Sequence, residues 1–161
     1  MQKLKVDGKE YQLEMSFNSV LDTDAMNQLT ESRNLSNQIA SFNKYRKEVE
    51  KAEKNNENIP EMPKNIKDFD MMATVMKLLR IERSLLYDCL IEHHGDEIKD
   101  EKECGSLIQR ALASKEYDIM GILGLITQCV DESDFLSGKR PEKTRAIKVL
   151  KEQSSTTNTT M

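Results

Sequence analysis

Cys89 and His93 stand four residues apart, with His94 beside them and Cys104 eleven residues beyond His93. On a helix that spacing puts Cys89 and His93 on one face, and thiolate with imidazole is the ligand chemistry of zinc. The arrangement lacks a CxxC or HxxxH pair and an evident fourth ligand, so it does not make a zinc motif. Nucleophilic catalysis would need a Cys or Ser activated by a histidine and an orienting acid. His93 and His94 are the only histidines, both at the end of one helical run, and no partner motif accompanies them. No G-x-S-x-G, phosphate loop or G-x-G-x-x-G occurs. Ser137-Gly138-Lys139-Arg140 lacks the upstream glycine and the strand that a phosphate loop requires. The sequence therefore predicts a protein that is not an enzyme and holds no metal or other cofactor.

Side chains suited to partner contact are easier to find. Met71, Met72 and Met76 cluster at the start of a long apolar helix. Flexible, polarizable methionine suits both core filling and adaptable binding surfaces. Phe42 and Tyr45 are the aromatic positions of an otherwise polar helix. Residues 139–152 hold six cations (Lys139, Arg140, Lys143, Arg145, Lys148, Lys151) against Glu142 and Glu152. That is a net of +4 in a chain whose total is −4, so the remainder carries −8. Such a segment reads as a solvated helix of mixed charge, or as one whose Lys143, Arg145 and Lys148 grip an acidic partner or fold onto the chain's own acidic body. The acidic total argues against general nucleic-acid binding.

The elements that must carry these residues follow from periodicity. In residues 3–13 (KLKVDGKEYQL), Asp7-Gly8 separates two alternating runs. A two-residue Asp-Gly loop suits a type I′ turn, and Leu4, Val6, Tyr11 and Leu13 then share one side. A helix over 17–29 follows, with Ser16 as N-cap. Leu35, Ile39, Phe42, Arg46 and Val49 step by four and three, a short heptad-like stripe on a polar helix over 35–54. Residues 55–67 (NNENIPEMPKNIK) break the helix and read as a flexible loop. Residues 68–94 form the strongest helix, capped by Asp68 or Asp70 and ended by a left-handed Gly95. Its expected apolar face holds Phe69, Met72, Val75, Met76, Leu79, Leu86 and Leu90, widened by Leu78, Ile81, Leu85 and Cys89. Shorter helices are expected over 104–112 and 116–136, where Gly121 and Gly124 suggest close approach of a neighbouring helix. Pro141 opens a last helix over 141–153. Residues 154–161 (SSTTNTTM) read as a disordered tail.

The fold class that results is mainly α: an N-terminal β-hairpin packed on a bundle of four to six helices, a single domain over 1–153. Charge by Lys3 and the absence of an apolar core after it speak against a signal peptide. The longest apolar stretch, 119–126, is too short for a membrane span. The three cysteines, odd in number and widely spaced, are expected to be free thiols in a reducing compartment.

The order of these features resembles a known family. Lys5-Val6-Asp7-Gly8-Lys9-Glu10-Tyr11-Gln12-Leu13 is similar to a K-x-x-G-K-E-Y-x-L hairpin, and Glu14-Met15-Ser16-Phe17-Asn18-Ser19-Val20-Leu21 leads into an acid-bearing helix and a helical bundle. This resembles the tail assembly chaperones of long-tailed bacteriophages and prophages of Gram-positive hosts. The likeness is clearest over 3–29, rests on helical layout over 69–136, and does not extend to the long polar insert 35–67. The resemblance implies a non-enzymatic, scaffold-like protein of the host bacterial cytoplasm. It would bind the tape-measure protein, help bring tail-tube protein to it, and be absent from the mature virion. It also implies a longer frameshifted form in many such phages. From the residues alone, a helical adaptor or regulator self-associating through 35–54 is the alternative.

Overall fold

The computed structural model describes residues 1–133 and Phe135. Two strands, β1 (Gln2–Val6) and β2 (Lys9–Leu13), pair antiparallel from Gln2↔Leu13 to Val6↔Lys9. Asp7 (φ 52°) and Gly8 (φ 77°) both take the left-handed backbone that a type I′ turn requires. Alternation then sends Leu4, Val6, Tyr11 and Leu13 inward, and all four are buried. A two-stranded ribbon cannot stand alone in water, so this face must be covered. The helical body covers it.

Five α-helices follow among the described residues: α1 (Phe17–Asp22), α2 (Ala25–Asn55), α3 (Met71–His94), α4 (Glu101–Ala113) and α5 (Ile119–Asp131). The fold is mainly α with the hairpin packed on this bundle, as the sequence predicts. Ser16 caps α1 by accepting from the Ser19 N–H at 3.1 Å. The predicted 17–29 helix is nevertheless two helices. Thr23 is extended, its hydroxyl 2.6 Å from the Ser19 carbonyl and 3.1 Å from Asp88 Oδ2 on α3. It also takes the Ala25 N–H at 3.3 Å, so one side chain ends α1 and begins α2. Phe17 and Leu21 consequently lie exposed on the short α1.

The predicted gap between 29 and 35 is absent, because α2 runs unbroken for 31 residues. Its inward line is Leu29, Ser32 and Leu35. Ser32 is fully buried and satisfies its hydroxyl on the Leu29 carbonyl at 2.7 Å, so a polar residue sits in the apolar stripe with its donor satisfied. The first half of α2 packs along α3. Its far half meets the returning chain. Asn56 is left-handed (φ 53°), and the Glu57 N–H bonds back to Ala52 at 2.9 Å. A 3₁₀ turn at Lys64–Ile66 then packs on α2, burying Ile66, and Phe69 stacks on Phe42 with ring centroids 4.8 Å apart. Residues 55–67 are therefore an anchored strap rather than the free connection expected of them.

Helix α3 is central, touching α2, β2, α4 and α5. Asp70 caps it by accepting from the Ala73 N–H at 3.0 Å. Its buried residues are Leu78, Ile81, Glu82, Leu85, Leu86, Asp88, Cys89 and Leu90. Met72 and Met76, expected on that face, are 70% and 43% exposed. Gly95 is right-handed (φ −62°), not left-handed, because the chain continues into a turn in which the Glu97 and Ile98 N–H groups both bond to the His94 carbonyl. The predicted 116–136 helix begins only at Ile119, capped by Asp118. Gly121 and Gly124 do not admit a neighbouring helix: a Cβ on Gly124 would meet nothing within 4 Å, and one on Gly121 only the Asp118 carboxylate. Tyr117, in the preceding turn, accepts the Lys5 N–H at its hydroxyl (3.1 Å) and ties α5 to β1. The predicted 141–153 helix and the 154–161 tail lie outside the described residues.

Candidate functional site

Two helical edges face each other across the body's surface. On α3 the positions are Met76, Leu79, Arg80 and Arg83; on α4 they are Gly105, Ile108, Gln109 and Leu112. Each set steps by three, one and three residues, which is a single edge of an α-helix. Together they line a groove of about 380 Å³. Ile108 forms its deeper wall, Leu79 and Leu112 are half-buried, and Met76 stands at the open side. One turn before Met76, Met72 extends the apolar edge towards the start of α3.

The helices that build the groove are fixed at their ends. Asp100 caps α4 by accepting from the Glu103 N–H at 2.8 Å, while the Glu103 carboxylate takes the Lys99 N–H at 2.7 Å. This reciprocal cap satisfies two otherwise orphaned donors. Gly105 has a role that its place in a helix interior does not announce. A Cβ there would lie 3.1 Å from Arg83 Cδ, so the missing side chain lets the arginine stem cross the α4 backbone. Arg83 Nε is buried without a hydrogen-bond partner and lies 3.5 Å from Glu101 Oε2. Arg80 forms no ion pair among the described residues. The groove lining thus carries two guanidinium groups and one amide, and no carboxylate.

Of the eight predicted contact residues, Met76 lines this groove, Met72 is exposed beside it, and Met71 is half-buried at the start of α3. Phe42 and Tyr45 lie apart on α2, both half-buried, with Phe42 engaged by Phe69. Lys143, Arg145 and Lys148 lie outside the described residues. The α4 half of the groove was not singled out from sequence. The signal for it was Gly105 within a run whose Leu107, Ile108, Ala111 and Leu112 already marked an inward face.

The cysteine–histidine set is not assembled. Among the described residues, no group of three His, Cys, Asp or Glu side chains could hold a metal ion. Both histidines turn to the hairpin instead. His94 Nε2 accepts the Gln12 N–H at 2.9 Å, and burial holds the ring below the usual histidine range, which keeps it a neutral acceptor. His93 pairs with Glu14. Cys104 is fully buried, and burial pushes its thiol up to about 12. Cys89 is also driven upward, by its hydrogen bond to Cys129 and by burial. Cys89 and Cys104 therefore remain protonated thiols at neutral pH, poor as nucleophiles or ligands.

Glu82 is the unexpected group. It is fully buried on the inner face of α3, and neither carboxylate oxygen has a hydrogen-bond partner. Burial, with a smaller effect from the Asp118 charge, raises its pKa to about 8, so the carboxyl is largely neutral at pH 7. At 0% exposure it is closed to solutes.

Comparison with protein-family models, with curated proteins and with solved structures finds no match. Among the described residues no helix is long and apolar enough to cross a membrane.

Proposed function

We propose that the chain is a non-enzymatic tail assembly chaperone of a long-tailed phage or prophage, and that its α3/α4 groove holds helical segments of a tape-measure protein. The observation that carries the binding part of this reading is the groove in which exposed Met76 and half-buried Leu79 face Ile108 and Leu112, with exposed Met72 one turn beyond. Contiguous exposed apolar side chains beside a groove favour a docking surface. A groove between two helices takes the apolar stripe of a third, and methionine adapts to varied client side chains. Many copies along one long client gain avidity without any single tight contact. The assembly role itself rests on the resemblance of residues 3–29 to that family. In this reading the protein works in the host bacterial cytoplasm, keeps the tape-measure protein soluble, helps recruit tail-tube protein and leaves before the virion is complete.

The test is to express the tagged chain together with its surrounding gene cluster, pull it down and read the partners by mass spectrometry. Recovery of a very long helical protein is expected. Recovery of the chain alone, or of unrelated host proteins, overturns the proposal. The competing reading, self-association through 35–54, would use a stripe whose Phe42 is packed on Phe69 within the chain.

A further inference from the structure

The groove's charge narrows what it can hold. The chain is acidic, with 28 Asp and Glu against 24 Lys and Arg, yet no carboxylate lines this groove. Its polar lining is Arg80, Arg83 and Gln109, all able to donate hydrogen bonds. Of the other cations on these helices, Lys77 pairs with Glu31 and Arg110 bonds Asp7 at 3.0 Å, while Lys102 does not line the groove. Arg80 pairs with no acid among the described residues, whereas Arg83 Nε, buried and without a hydrogen bond, already lies 3.5 Å from Glu101 Oε2. Arg80 is therefore the guanidinium open to an incoming carboxylate.

The geometry fixes the shape as well. From Met76 to Arg83 the edge spans seven residues, about 10 Å or two turns at 1.5 Å per residue. The apolar floor is Met76, Leu79, Ile108 and Leu112, and the guanidinium groups stand on the α3 side only. An occupant that matches presents apolar side chains at i, i+3 or i+4 and i+7, with acids along one flank. Arg rather than Lys suits such a flank, because its planar fork takes a carboxylate through two bonds.

We infer that the α3/α4 groove binds an amphipathic helix bearing carboxylates on one flank of its apolar stripe. This rests on the client-binding reading above and states the chemistry of the segment that would be held. The chain's own residues 139–152, net +4, have the wrong charge for the site.

The test uses the full chain and two fluorescein-labelled synthetic helices of about five turns. They share one leucine stripe; one carries Glu on its flanks and the other Lys. Fluorescence anisotropy is expected to give binding of the Glu helix at least about tenfold tighter than the Lys helix, with the gap shrinking as salt rises. Met76→Asp should weaken the Glu helix by about tenfold or more. Arg80→Glu should weaken the Glu helix and strengthen the Lys helix, an inversion that mere loss of structure does not produce. Both positions are exposed, so circular dichroism of the variants should match the parent. Equal binding of the two peptides, tighter binding of the Lys helix, or no inversion at Arg80→Glu overturns the inference. So does binding of a 139–153 peptide more tightly than the Glu helix, or a concentration-dependent dimer abolished by Met76→Asp, which would assign the groove to this chain itself. If the Glu helix binds as expected but no long helical protein is recovered from the gene cluster, the groove chemistry stands and the assembly role falls. If the long protein is recovered through some other surface, the reverse holds.

Discussion

Glu82→Gln should flatten the pH dependence of stability. The Glu82 carboxyl moves from an ordinary 4.5 in the unfolded chain to about 8 in the fold, with burial as the main cause and Asp118 as the lesser one. The folded protein therefore holds this proton more tightly than the unfolded chain does. Stability from this group is fully present below about pH 4.5 and is lost as pH rises towards about 8. Tenfold in proton affinity is worth about 1.4 kcal/mol, so the whole span is on the order of 5 kcal/mol. Between about pH 5 and about pH 8 the loss is roughly 3 kcal/mol, a large part of a small domain's stability. Asp88, also raised chiefly by burial, acts in the same direction, and His94, lowered by burial, acts in the opposite one. Both are common to parent and variant, so the difference between the two isolates Glu82. Urea unfolding at the two pH values, followed by circular dichroism, reads it directly. The parent should lose roughly 3 kcal/mol more than Glu82→Gln on going from the lower pH to the higher. Parallel profiles would show that Glu82 titrates alike in the folded and unfolded chain, with water or another donor reaching the carboxylate.

Two further outcomes follow from the backbone and the strap. Gly8→Ala places a Cβ at φ 77°, and should cost about 1 kcal/mol in thermal or urea unfolding, with no change in helix content. Ile66→Ala empties a site only 2% exposed, and should cost about 2–4 kcal/mol while making residues 56–63 cleavable in limited proteolysis; an unchanged cleavage pattern would contradict the anchoring of the strap.

The hairpin could be read from the sequence because its signals are local. Asp7-Gly8 sets the turn, and a period of two assigns Leu4, Val6, Tyr11 and Leu13 to one face. Caps were legible for the same reason, as at Ser16 and Asp70. Misreadings arose where tertiary contacts decide. Ser32 hid the continuity of α2 by putting a hydroxyl where an apolar residue was expected. Thr23 split a helix through a bond to Asp88, 65 positions away. The apolar arc of α3 is broader than what its neighbours cover, so periodicity alone did not separate buried Leu78 from exposed Met76. Glu82 sits in register with Leu78, Leu85 and Leu86, four, three and four residues away, yet its charge disguised an interior position. The groove needs α3 and α4 side by side, and no spacing within either helix reports that pairing.

The most direct test of the account compares client capture by the parent chain, Met76→Asp and Ile91→Asp, each expressed with the surrounding gene cluster. Ile91 is an α3 residue as exposed as Met76, at 43%, but does not line the groove. Parent and Ile91→Asp should recover the very long helical protein in equal amount, and Met76→Asp should not. Equal recovery by all three, or recovery by none, would contradict client binding at the groove.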